Sequence, residues 1–183
     1  MPCRSGGRFV RTGKILYFRA VRSPAVPHGY EIRTNWQMWW YNLGIRFYTG
    51  AVRLASPFVR KAALWTQGRR DIFPQLERAV GDGGRIIWFH AASLGEFEQG
   101  RPVMEALRER YPDYRILLTF FSPSGYEIRK NYSGADWVFY LPADTPRNAA
   151  RFLDAVKPEM AVFIKYEFWL NYLSALAERG VPA

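Results

Sequence analysis

The hydrophobic positions of this chain change period near residue 38 and again near residue 82. From Met38, taken at 100° per residue, Trp40, Leu43, Phe47, Ala51, Leu54, Ala55 and Phe58 fall on one broad face of a helix. Asn42, Arg46, Thr49, Arg53, Ser56 and Arg60 fall together on the other side, with the arginines recurring every seven residues as a stripe. Pro57 should kink or restart this helix, because its ring removes an N–H and clashes with the preceding turn. A 38–68 amphipathic helical segment is the expectation.

After Gly81-Asp82-Gly83-Gly84, a turn signal, short apolar runs alternate with stretches of helical spacing. The runs are 85–89, 115–120, 137–141 and 160–164, and the helical stretches are 95–110, 124–132, 145–156 and 168–179. Strands that are apolar on both faces, each followed by a helix, predict an α/β fold over 82–183. Its parallel, Rossmann-like sheet should carry helices on both faces, with right-handed crossovers. Gly180 then stops a helix, and Val181-Pro182-Ala183 reads as the first residues of another strand, so a longer protein is expected.

Residues 1–37 hold Gly6-Gly7, Pro24, Pro27 and scattered arginines, with Glu31 the only acid, and no sustained period. They read as an unstructured extension, either translated from a start upstream of Met38 or an arginine-rich transit peptide. The formal net charge of +10 is concentrated at the front: residues 1–80 hold 14 Lys and Arg against 3 acids, and residues 81–183 hold 12 against 13. Such a basic front on a neutral body suits an anionic partner, whether a phospholipid surface, a phosphorylated ligand or nucleic acid. With Trp39 and Trp40 clustered at one end and Arg46, Arg53 and Arg60 beside the apolar face, the helix is built as membrane-surface helices are. The alternative is that its aromatic face packs on the chain's own domain. A single cysteine, Cys3, and two histidines, His28 and His90, leave no multi-cysteine metal site, and no metal is expected.

Ligands of open α/β sheets bind beyond the carboxyl ends of the strands. The loops there read His90-Ala91-Ala92-Ser93-Leu94-Gly95-Glu96, Ser122-Pro123-Ser124-Gly125, Pro142-Ala143-Asp144-Thr145 and Lys165-Tyr166-Glu167. Ser93 and Gly95 allow a tight turn with free amides at a helix start, and Glu96, in the first turn, can accept a proton or hydrogen bond. Ser93 and Glu96 also stand at capping-box spacing, which would make Glu96 a cap alone. His90 is either a structural histidine or a site residue, Glu167 either a first-turn helix acid or a ligand, and Ser122 to Gly125 either a phosphate loop or an ordinary N-cap and turn. There is no G-x-G-x-x-G, P-loop, G-x-S-x-G elbow or H-E-x-x-H.

Ile-Trp-Phe-His-Ala-Ala-Ser-Leu-Gly-Glu at 87–96, Ile-Leu-Leu-Thr-Phe-Phe-Ser-Pro-Ser-Gly at 116–125 and Tyr-Glu-Phe-Trp at 166–169, behind an aromatic, basic helix, resemble the Kdo transferases over about residues 38–183. The resemblance implies the N-terminal half of a GT-B glycosyltransferase. Such an enzyme transfers 3-deoxy-D-manno-octulosonic acid (Kdo) from CMP-Kdo to lipid A precursor with inversion, at the cytoplasmic face of the bacterial inner membrane. It also implies no cofactor, a donor held mainly by a second domain and no nucleic-acid partner. By position Glu96 becomes the general base, with His90, Ser93, Gly95, Ser122, Ser124, Gly125 and Glu167 as substrate-binding residues and Trp39, Trp40, Arg46, Arg53 and Arg60 as membrane contacts. Lys165 stands where many members carry an acid. The alternatives are a non-catalytic membrane- or nucleic-acid-binding module, or a GT-B transferase of another lipid or sugar.

Overall fold

The computed structural model describes residues 34–81, 83–165 and 167–183. Nearly all of the extension expected over 1–37 lies outside them. The first helix, α1, spans Thr34–Ala55, four residues earlier than the sequence pattern predicts, because nothing between Thr34 and Met38 breaks a helix. At Pro57 the chain turns, with Ser56 and Phe58 bonded back to Arg53 and Ala55, and Val59 is extended before α2, Arg60–Gln67. The seven-residue arginine stripe is therefore split: Arg46 and Arg53 share α1, whereas Arg60 opens α2. The proline that starts a new helix also re-aims its first residue.

Helix α3, Ile72–Val80, falls in the 69–81 stretch that the sequence reading leaves unassigned. Its Ile72, Leu76 and Val80 are buried at i, i+4 and i+8 spacing. Pro74 looks like a breaker there, yet it sits in the first turn, where its missing N–H has no helical partner to lose.

The remaining elements alternate: β1 Arg85–Ala91, α4 Leu94–Arg110, β2 Tyr114–Phe120, α5 Pro123–Arg129, β3 Trp137–Tyr140, α6 Pro146–Val156, β4 Met160–Phe163 and α7 Leu170–Glu178. All strand pairs are parallel, in the order β3-β2-β1-β4. The chain steps one way from β1 to β3 and then jumps across to the far side of β1. Right-handed crossovers consequently place α4 and α5 on one face and α6 on the other.

Both faces are dry. Ile87, Phe89, Ala91, Ile116, Leu118 and Phe120 point towards Phe97 and Met104 of α4, while Ile86, Trp88 and Leu117 point towards Leu76, Phe152, Leu153, Tyr172 and Leu176. Alternation along β1 and β2 thus feeds two separate cores, and the sheet is the α/β, Rossmann-like arrangement with helices on both sides. Gly100 lets α4 approach: a Cβ there would run into Ile164. At the chain's end, Gly180 takes φ +64 and the Pro182 carbonyl accepts from Ala161 N–H at 2.9 Å, which sets Val181-Pro182 beside β4 as the start of a further strand would lie.

Candidate functional site

The strand order reverses between β1 and β4, and a parallel sheet opens a crevice at the carboxyl ends of such a pair. His90 lies opposite Phe163 in that register, and Ile164 N–H donates to His90 O at 2.9 Å. The two chains therefore leave the sheet side by side. One carries Ser93 and Glu96, the other Lys165 and Glu167.

Ser93 is the extended N-cap of α4, and Glu96 closes the capping box. Its Oε2 accepts from Ser93 N–H at 2.8 Å and from Ser93 Oγ at 3.0 Å. Oε1 accepts nothing among the described residues. Cap and site reading are thus compatible: one carboxylate oxygen fixes the rotamer, and the cap leaves the other unused among the described residues. Gly95 is exposed, with open space where a side chain would sit.

Glu167 comes back against this helix end. Its N–H donates to Lys165 O at 3.0 Å, and Lys165 takes the left-handed φ of +67 that an unbranched side chain seldom adopts. Burial raises the Glu167 carboxyl above the usual carboxylate range, the Glu96 charge raises it further, and the Trp169 indole N–H nearby offsets part of this. The arrangement sets two carboxyl groups near each other, and the second holds its proton more readily than an ordinary carboxylate.

His90 is beneath the crevice, not in it. It is fully buried among Trp88, Phe163 and Trp169, which corrects its expected role as a substrate contact. Nδ1 is 3.1 Å from Thr119 O and 2.9 Å from Thr119 Oγ1, and that hydroxyl also accepts Trp88 Nε1–H at 2.8 Å. We place the proton on Nδ1, where it serves the Thr119 carbonyl, so that Nε2 keeps a bare lone pair with no partner among the described residues. Burial pushes the imidazole down to about 3.

The Ser122–Gly125 loop adjoins the first one, since Ser122 N–H donates to Ala92 O at 2.8 Å. Its own groups are largely spent: Ser122 Oγ accepts from Ser124 N–H at 3.3 Å and lies 2.9 Å from Ser124 Oγ. Gly125 is required because a Cβ would strike the Phe120 ring. The N-cap reading describes this loop better than a phosphate cradle.

Sequence reasoning missed two residues here. Arg69, after α2, donates to Trp65 O at 3.2 Å, Phe121 O at 2.8 Å and Leu141 O at 2.8 Å, and stacks on Trp65 at 4.0 Å. It binds the ends of α2, β2 and β3 together; burial brings its guanidinium down to about 9, still charged at neutral pH. Asp144 accepts from Tyr41 OH at 2.5 Å, Asn171 N–H at 3.2 Å and Tyr172 N–H at 3.1 Å, which caps α7 and moors α1. A lone arginine and a loop aspartate carry no periodic signal. Among the described residues there is no group of three or more His, Cys, Asp or Glu side chains able to hold a metal.

Helix α1 is moored to the body by Tyr41, Asn42, Ile45 and Thr49. Tyr41 and Asn42 bond to Asp144 and Asn171, and Ile45 and Thr49 face the body. Trp36, Trp39, Trp40, Leu43, Phe47 and Leu54 face outward, with Phe47 78% and Leu54 79% exposed. Among the described residues the aromatic face does not pack on the chain's own domain. Arg46, Arg53 and Arg60 are exposed as well. No helix among the described residues is long and apolar enough to cross a membrane.

Residues 63–183 match the family described as 3-deoxy-D-manno-octulosonic-acid transferase (kdotransferase). The chain belongs to this family. Among curated relatives, the 3-deoxy-D-manno-octulosonic acid transferase of Haemophilus influenzae is 33% identical over 97 residues, 52% of this chain and 23% of that protein. The Aquifex aeolicus transferase is 38% identical over 84 residues, 45% of this chain and 23% of its own length. That of Bordetella pertussis is 29% identical over 157 residues, covering 76% of this chain and 36% of the relative. The chain thus spans between about a quarter and a third of these relatives. Glu96, Ser122 to Gly125 and Glu167 all lie inside the matched family region.

Proposed function

We propose that this Kdo transferase chain is the acceptor-side part of an inverting glycosyltransferase of lipopolysaccharide synthesis, with CMP-Kdo as donor, lipid A precursor as acceptor and Glu96 as general base. The observation that carries the assignment is the split duty of the Glu96 carboxylate, one oxygen clamped by Ser93 and the other without a partner among the described residues. In the proposed step Oε1 takes the proton of the acceptor hydroxyl. The freed oxygen then bonds to the anomeric carbon of Kdo while the bond from that carbon to the CMP phosphate breaks and CMP leaves. Glu167, close enough for the Glu96 charge to raise its carboxyl, would help bind the acceptor beside the base. The donor would be held mainly by a second domain, outside these residues.

The outward aromatic face of α1 would rest on the cytoplasmic leaflet of the inner membrane, with Trp39 and Trp40 at headgroup level and Arg46, Arg53 and Arg60 meeting anionic lipid. A nucleic-acid module would not call for that apolar stripe. The deciding experiment changes Glu96 to Gln in the full-length transferase and follows Kdo transfer to lipid A precursor. A folded protein with turnover lowered by about 10² to 10⁴ is expected, the usual range for losing a general base; wild-type turnover would remove Glu96 from this role.

A further inference from the structure

Between α1 and the carboxyl edge of the sheet lies a cavity of about 280 Å³ lined by Ile45, Tyr48, Thr49, Trp65, Phe121 and Trp169, with Ala143 and Asp144 at one end. It is small beside the roughly 300 to 1,000 Å³ of ordinary small-molecule sites, so it suits one slender group and not a whole lipid or a sugar headgroup. Its walls are apolar rings. Phe121 stands 4.6 Å from Trp169 and 6.0 Å from Trp65, and Tyr48 6.1 Å from Phe121.

Charge and polarity narrow the occupant. Asp144, the one ionisable acid in the lining, is already occupied by Tyr41 OH and two backbone N–H groups, so it does not ask for a cation. Trp65, only 5% exposed, adds a largely buried ring to the wall. Arg46 and Arg53 run along the flank of the same helix, next in sequence to the wall residue Ile45 and one turn beyond Thr49. On its far side the cavity shares Trp169 with the crevice, where the Trp169 indole approaches Glu167.

An apolar slot, cations on the helix that walls it and a wall in common with the carboxylate pair describe one chemistry. We propose that this cavity holds a single fatty-acyl chain of the anionic lipid acceptor and so fixes the acceptor hydroxyl relative to Glu96. The assignment rests on the proposed action on a membrane lipid. It extends that proposal by taking one chain out of the bilayer into the protein.

The test uses the 183-residue chain with Trp36, Trp39 and Trp40 all changed to Phe, which silences the outward indoles and leaves four: Trp65 and Trp169 as reporters at the cavity, and Trp88 and Trp137 away from it as an unquenched background. Submicellar 12-bromododecanoate is titrated in and indole quenching is read, with bromoacetate as the chainless control. Saturable quenching by the long acid alone is expected. Ala143→Phe and Thr49→Phe, one on a loop and one on α1, each fill the slot and should weaken it at least tenfold while circular dichroism stays native.

Quenching that does not saturate, that bromoacetate reproduces, or that persists unchanged in both filled variants overturns the assignment. In the full-length transferase, Ala143→Phe should lower kcat/KM at least tenfold more for acylated than for deacylated acceptor. Failure of Glu96→Gln to abolish transfer would leave the quenching result standing, so the two proposals fall separately.

Discussion

His90 illustrates how position in a sheet decides what a residue can do. It alternates in phase with Ile86 and Trp88, so it points into the core shared with α6 and α7 and meets Thr119 on the neighbouring strand. Folded protein keeps it neutral to about pH 3, whereas an unfolded chain protonates it near pH 6.5. Above 6.5 neither state binds the proton and the full stability is present. Between about 6.5 and 3 only the unfolded state does, so stability falls with pH, by a few kcal/mol across the window. Denaturant unfolding of wild type and His90→Phe from pH 7.5 to 4.5 should show a steeper loss in the wild type. Parallel curves would mean that the imidazole is hydrated and titrates normally. The comparison of slopes holds even if the variant is less stable throughout, because it lacks the Thr119 contact.

Elements were legible where one period dominates. The four β-α units follow from both-sided apolar runs, and their boundaries fall within two or three residues of the sequence reading because Ser122, Thr145 and Gly180 mark helix ends chemically. Helix α3 escaped because its proline imitates a break, and the mooring of α1 escaped because Tyr41, Asn42, Asp144 and Asn171 meet only in three dimensions. Glu96 was visible as a first-turn acid; that its second oxygen has no partner among the described residues was not, since the same spacing serves a pure cap. The mooring makes a prediction at this scale. Tyr41→Phe deletes a hydrogen bond to a buried carboxylate, a contact of roughly 1.5 to 3 kcal/mol. Hydrogen exchange of the α1 amides should quicken severalfold while β1 stays protected. Unchanged α1 exchange would show instead that Ile45 and Tyr48 hold the helix by apolar contact alone.

At the scale of the whole molecule the outward stripe of α1 and the carboxylate crevice belong together. Phe47, Leu54 and Phe58 are exposed while Tyr41 and Asn42 make the polar contacts to the body, so burial against the described residues does not account for the outward apolar positions. Exposed apolar area of this kind is stabilised only by a second surface, and cations beside it favour one that is anionic. Each basic side chain near anionic lipid contributes roughly 1 kcal/mol, so reversing Arg46, Arg53 and Arg60 to Glu should lower partition onto phosphatidylglycerol-containing vesicles by about two orders of magnitude or more. Phe47→Ser with Leu54→Ser should weaken binding to neutral vesicles too, because it removes insertion and leaves charge. Co-sedimentation at low and high salt separates the contributions: the arginine effect should shrink as salt screens it, and the aromatic effect should persist. If triple reversal leaves sedimentation untouched while the serine pair abolishes it, the arginines do not face the bilayer and α1 meets a protein surface instead.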